Sequence, residues 1–177
     1  MQRYLFWVCA LLCFHSLQGQ EVPLWGGVRD SIVLPADSSL VLIPNDAYID
    51  EIVAFGKSLL GRPYRSGGKT PAGFDCSGFL YYTFGNFGYK MPSHSGDYAH
   101  RGAAVSYGQW EKGDFLLFSG RGRRGIGHVA LVIAVEPGAV WMLHSGSPGV
   151  VVQNFLAMPY YTRRYVGARR LFMTPYL

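Results

Sequence analysis

Gly73-Phe74-Asp75-Cys76-Ser77-Gly78, with Phe79-Leu80-Tyr81-Tyr82-Thr83-Phe84 running on behind it, is the stretch that decides how this chain is read. The lead Gly67-Gly68-Lys69-Thr70-Pro71-Ala72-Gly73 is a turn-forming segment, and the apolar, aromatic run after it is of helical length. Asp75 stands at the N-cap of that helix, where its carboxylate can accept the unpaired amide protons of the first turn. Cys76 then falls at the positive end of the helix, which favours a thiolate. An ordinary thiol titrates near pH 8.5 and is only about 3% ionised at pH 7. The expectation is therefore a Cys76 pKa lowered into the range of a working nucleophile. A lone cysteine opening a helix is more often a buried structural residue, but two histidines shift that balance. His128 enters a strand-like run, Val129 to Val135, and His144 closes another, Val140 to Ser145. Together the three supply a nucleophile, a base and a group to orient the base.

The rest of the chain frames this constellation. At 177 residues, 49% hydrophobic and 15% charged, it is long and apolar enough for one domain with its own core. Residues 1–19 read as an export signal: Arg3 gives a positive start, Tyr4 to Phe14 is an apolar run too short to span a bilayer, and small and polar residues end it. A permanent transmembrane helix is not expected. A lipid anchor on Cys9 or Cys13 is disfavoured, because Val8 and Leu12 precede them where a small residue is usual. Residues 20–45 form a poorly patterned lead-in broken by Pro35 and Pro44. From residue 46 the pattern is regular. Asp46 caps a helix with Ile49, Ile52, Val53 and Phe55 on its apolar face, ending at Gly61. The Cys76 helix is expected to run to about Phe87, with a short helical turn from Ser95 to Arg101. Strands follow at Phe115–Ser119, His128–Val135, Val140–Ser145, Val150–Gln153 and Tyr165–Phe172. Helices first and an antiparallel set of strands afterwards is α+β order. Gly120 to Gly127, rich in Gly and Arg, reads as a hairpin loop beside His128 that could gate the site.

Removing residues 1–19 leaves Cys76 as the only cysteine, so no internal disulfide can form. A single free thiol in an oxidising compartment suits catalysis better than structure. The formal charge is +5, with basic residues gathered at Arg121, Arg123 and Arg124 and again at Arg163, Arg164, Arg169 and Arg170. This reads as a solvated rim suited to an anionic wall; no nucleic-acid partner is expected of an exported chain. Cys76, His128 and His144 lack a fourth ligand and any ligand-pair spacing, so no metal site is expected. His94 and His100 read as surface residues.

Taken in order, several motifs resemble the NlpC-type cell-wall peptidase family. They are Gly61-Arg62-Pro63-Tyr64, Gly67-Gly68, Phe74-Asp75-Cys76-Ser77-Gly78, Pro92-x-x-Ser95, Lys112-Gly113-Asp114-Phe115-Leu116-Leu117-Phe118, Gly127-His128-Val129-Ala130-Leu131-Val132 and Gly167-Ala168-Arg169-Arg170. The likeness spans roughly residues 46–172, and the peptidase domain is set at 46–177. It implies a papain-like α+β fold and cysteine peptidase activity on peptidoglycan stem peptides, at the γ-D-glutamyl to diamino acid bond, in the periplasm or cell envelope. It further implies that Cys76 is the nucleophile, His128 the base and His144 the third polar residue, with no cofactor. Tyr64, Asp75 and Ser77 become the expected contacts for the amino-terminal side of the stem peptide. The small residues Gly67, Gly68, Gly78 and Gly127 are consistent with close substrate approach. Two departures bear on substrate detail: Ser93 follows Pro92 where a basic residue is common, and Tyr98 stands near a glutamine position. An amidase or acyltransferase on the same scaffold, or a non-catalytic wall-binding domain, are the alternatives.

Overall fold

The computed structural model describes residues 46–171, apart from Arg121, Arg123 and Arg124. The expected signal segment, the lead-in and all three arginines of the loop before His128 lie outside the described residues. Helix α1, Asp46–Ser58, takes in the expected cap residue and buries Ile49, Ile52 and Val53. A two-residue hairpin, β1 Lys69–Thr70 with β2 Gly73–Phe74, turns the chain around Pro71 and Ala72. Helix α2, Cys76–Gly85, then runs into the core. Its sequence is apolar nearly all round, as a helix packed on several sides must be, and Phe79, Leu80 and Phe84 have no exposed surface. A 3₁₀ turn occupies Ser95–His100.

A second 3₁₀ turn, Phe155–Ala157, and the short helix α3, Pro159–Thr162, precede the last strand; the remaining strands are β3 Ala103–Val105, β4 Phe115–Ser119, β5 Ile126–Glu136, β6 Ala139–Gly146, β7 Gly149–Asn154 and β8 Tyr165–Arg170. They form one antiparallel sheet in the order β3-β8-β4-β5-β6-β7. This is the expected α+β arrangement, with α2 two residues shorter than expected and β5 begun two residues earlier. The sheet is covered on both faces. Phe115, Leu117, Val129, Leu131 and Leu143 join the cluster built on α1 and α2, while Leu116, Phe118, Ala130, Val132 and Met142 join one with Trp110, Phe155 and Tyr161. Neighbouring residues of a strand point to opposite faces, so burial on both explains the unbroken apolar runs in β4 and β5.

One buried ion pair ties β8 to the turn before β4. Asp114, 1% exposed, accepts from Arg170 Nε at 2.8 Å and Nη2 at 3.0 Å, and its Oδ2 also accepts the Glu111 N–H at 2.8 Å. Arg170→Met should leave that carboxylate buried without its countercharge. The expected loss is about 3 kcal/mol of unfolding free energy in urea titration. Adding Asp114→Asn should restore much of it; a wild-type midpoint in the single variant would show the pair to be dispensable.

Candidate active site

The start of α2 is built around the Asp75 carboxylate. Asp75 has extended backbone geometry and caps the helix: Oδ1 accepts the Gly78 N–H at 2.6 Å and Oδ2 the Gly67 N–H at 3.0 Å. The Ser77 hydroxyl, 3% exposed, lies 3.1 Å from Asp75 Oδ1 and 3.0 Å from the Ser93 carbonyl, so it clamps the helix start to the segment after Pro92. Two of the glycines, Gly78 and Gly127, are also constrained by the chain itself. A Cβ on Gly78 would lie 2.0 Å from the Gly68 carbonyl oxygen, and one on Gly127 would lie 2.3 Å from the Gly120 Cα. The chain's own backbone requires those two residues to be small, while Gly67, with nothing within 4 Å of a Cβ placed there, lines the Cys76 cleft.

Cys76 opens α2 and is 6% exposed; it is the only cysteine among the described residues and its thiol is free. Here the structure corrects the expected pKa. Burial pushes the thiol up, and the Asp75 charge adds to this. The backbone N–H groups of Val129, Ser77 and Cys76 favour the thiolate but do not outweigh desolvation. Helix α2 packs against β5, the strand that carries His128.

His128 and His144 are brought together as expected, and Gln153 completes a chain. His128 Nε2 lies 2.9 Å from His144 Nδ1, and His144 Nε2 lies 3.0 Å from Gln153 Oε1. An amide oxygen only accepts, so His144 carries its proton on Nε2 and offers Nδ1 as an acceptor. His128 must therefore donate through Nε2–H, which leaves its Nδ1 unprotonated and free to take a proton. Burial, then the neighbouring His144 imidazole and the Arg164 guanidinium, hold the His128 pKa down to about 3. Burial lowers His144 to about 4, partly offset by its bond to Gln153. The resting arrangement at neutral pH is thus a thiol and two neutral imidazoles. Tyr161 and Phe118 wall the rings: Tyr161 lies 5.6 Å from His128 and 5.2 Å from His144, centroid to centroid, and Phe118 lies 5.8 Å from His128.

Two clefts meet at Tyr64 and Gly127. One, of about 630 Å³, is lined by Asp75, Cys76, Ser77, Lys69 and Ser95; the other, of about 450 Å³, by His128, Gln153, Tyr160 and Arg164. Tyr64 is half-exposed on this ridge. Burial and the neighbouring Cys76 and Asp75 push its phenol pKa up, so the hydroxyl remains a donor at neutral pH. His94 and His100 are exposed, as expected. Tyr98 is fully buried and donates to the Pro92 carbonyl at 3.2 Å, so it serves the core.

Gln153 and Arg164 were not legible as site residues. Gln153 reaches His144 only because β6 and β7 pair with Met142 opposite Gln153 and His144 opposite Val151, which puts both polar side chains on one face. Arg164 reads in sequence as part of the basic rim; in the structure Arg163 is exposed while Arg164 turns into the cleft.

Comparison with known proteins gives the family to which the chain belongs. The NlpC/P60 family model matches residues 61–170, and the chain belongs to that family. It is 36% identical over 125 residues to the gamma-D-glutamyl-L-lysine dipeptidyl-peptidase of Bacillus subtilis strain 168, covering 70% of this chain and 41% of that one. It is also 36% identical over 121 residues to the murein DD-endopeptidase MepH of Escherichia coli K12, covering 66% and 43%. The crystal structure of an NlpC/P60 family protein from Bacillus cereus ATCC 10987 matches with a TM-score of 0.62 at 35% identity, covering 70% of this chain and 40% of that one. The chain spans about two fifths of the length of these relatives. The papain-like α+β fold is shared with this structure.

Proposed function

We propose that this domain is a cysteine endopeptidase of peptidoglycan stem peptides, cutting between γ-D-glutamate and the diamino acid. The observation that carries the reading is the Gln153–His144–His128 relay, which leaves His128 Nδ1 unprotonated on β5, the strand that packs against the helix opened by Cys76. As substrate binds, the thiol proton moves to His128 Nδ1 and the sulfur attacks the scissile carbonyl. The imidazolium is steadied by its Nε2–H bond to His144, and backbone N–H groups at the start of α2 face the developing oxyanion. His128 then protonates the leaving amine; water, activated by the same nitrogen, hydrolyses the thioester. No cofactor enters these steps.

The bond assignment rests on Asp75 and on kinship. Asp75 lines the Cys76 cleft together with Tyr64 and Ser77, where a free α-amine of L-Ala–γ-D-Glu would meet a carboxylate. The relative of matching identity named for the γ-D-glutamyl-L-lysine bond supports the same choice. The competing bond is the D-Ala cross-link, since another relative is named a DD-endopeptidase. The test is mass spectrometry of L-Ala–γ-D-Glu–diaminopimelate after incubation with the wild type. L-Ala–D-Glu and free diamino acid are expected; cleavage only at D-Ala cross-links would overturn the bond assignment. We place this activity outside the cytoplasm, delivered by the segment 1–19. Among the described residues no helix is long and apolar enough to cross a membrane.

A further inference from the structure

Arg164 is a cation in the His128 cleft with no carboxylate partner among the described residues. The described ion pairs are Lys112 with Asp50 and Arg170 with Glu111 and Asp114, all elsewhere, and neither Asp nor Glu lines the His128 cleft. The guanidinium is nevertheless held in place. Its Nε and Nη2 both donate to the Ser119 carbonyl, Nη1 donates to the Tyr160 hydroxyl at 2.9 Å, and the group lies 4.8 Å over the Tyr160 ring. A guanidinium has five N–H donors, so two remain for a ligand in a fork that is already oriented.

The direction of the proposed reaction, on which this inference rests, says which half of the substrate meets that fork. A general acid must reach the nitrogen it protonates, so the leaving amine and everything attached to it lie on the His128 side. The acyl half then lies on the other side of the Tyr64–Gly127 ridge, against Cys76 and Asp75. Arg164 and His128 line the same cleft, so the guanidinium faces the space that receives the leaving amine and the groups attached to it. The α-carboxylate of an amino acid is attached in that place.

We propose that Arg164 is a specificity-determining residue that binds a free α-carboxylate on the leaving amino acid, so that the domain favours short stem peptides ending at the diamino acid over chains that continue beyond it. Bidentate pairing of a fixed guanidinium with a carboxylate is strong and geometrically selective, and an amide in its place loses both charge and one acceptor. Binding the carboxylate also supplies the countercharge that the cleft lacks.

The experiment compares L-Ala–γ-D-Glu–L-Lys with its C-terminal carboxamide, measuring kcat/KM for release of L-Ala–D-Glu. The wild type should prefer the free carboxylate by at least about tenfold. Arg164→Gln should bring the ratio toward one, and Arg164→Lys should leave an intermediate ratio, because charge survives while the fork is lost. The ratio is read within each variant, so a general loss of folded enzyme does not move it. Equal rates on both peptides with the wild type, or a preference that persists in Arg164→Gln, overturn the assignment. Turnover of neither peptide removes the γ-D-glutamyl bond assignment, and this inference with it.

Discussion

Cys76→Ala should abolish hydrolysis of the stem tripeptide, with a loss on the order of 10³-fold or more, while the protein remains folded. The substitution removes a buried sulfur at a helix start and leaves the Asp75 cap, the Ser77 clamp and the histidine relay in place. In the wild type the same residue should react with iodoacetamide in an unusual way for a nucleophile. A thiol pushed up by burial gives a labelling rate that keeps rising through pH 8.5, with no plateau at or below neutrality. A plateau below pH 7 would mean that a resting thiolate–imidazolium pair exists and that the neutral resting site is wrong. Hydrolysis by Cys76→Ala would remove the nucleophile assignment altogether.

His144→Ala should lower kcat/KM on the order of 10²-fold, comparable with loss of acid–base assistance, because nothing then holds His128 in the tautomer with a free Nδ1. His144→Gln should keep substantial activity, since an amide oxygen can accept the His128 Nε2–H. Severe and equal losses in both would mean that His144 needs proton chemistry of its own. The same residue carries a stability signature. Its pKa is about 4 in the folded protein against an ordinary 6.5, so on acidification the unfolded chain takes up the proton first. Its share of stability is therefore whole above pH 6.5 and falls as the pH drops toward 4. The shift corresponds to roughly 3 kcal/mol. Urea titrations at pH 7 and pH 4.5 should show a shallower pH dependence in His144→Gln than in the wild type; identical slopes would show that His144 is not the group being titrated.

Much of the architecture is readable before any coordinates, and the exceptions have physical causes. Long apolar runs bounded by Gly and Pro, such as Phe115–Ser119 and Val140–Ser145, lie within strands of nearly the same extent. The three-residue β3 and the β1–β2 hairpin are too short to show a period, and their pairing partners are remote or a single turn away. The faces of β4 and β5 are hidden for another reason: with both sides buried, alternation disappears. At the site, Cys76, His128 and His144 are legible because their chemistry is rare in combination. Gln153 has no such signature and depends on strand register. Arg164 is indistinguishable in sequence from its exposed neighbour Arg163. The Cys76 pKa misleads because position at a helix end is written in the sequence, whereas depth below the surface is not.

That depth bears on how long the protein remains usable. A catalytic thiol outside the cytoplasm faces peroxides, low-molecular-weight disulfides and other thiols, and all of these react with the ionised form. Cys76 is covered, un-ionised at neutral pH and without a second cysteine among the described residues. On the proposed mechanism, the sulfur stays un-ionised between turnovers and is activated by the proton transfer that accompanies a bound peptide. The same burial that withholds the thiolate thus acts as protection against oxidative inactivation, and ties the reactivity of the site to the presence of its substrate.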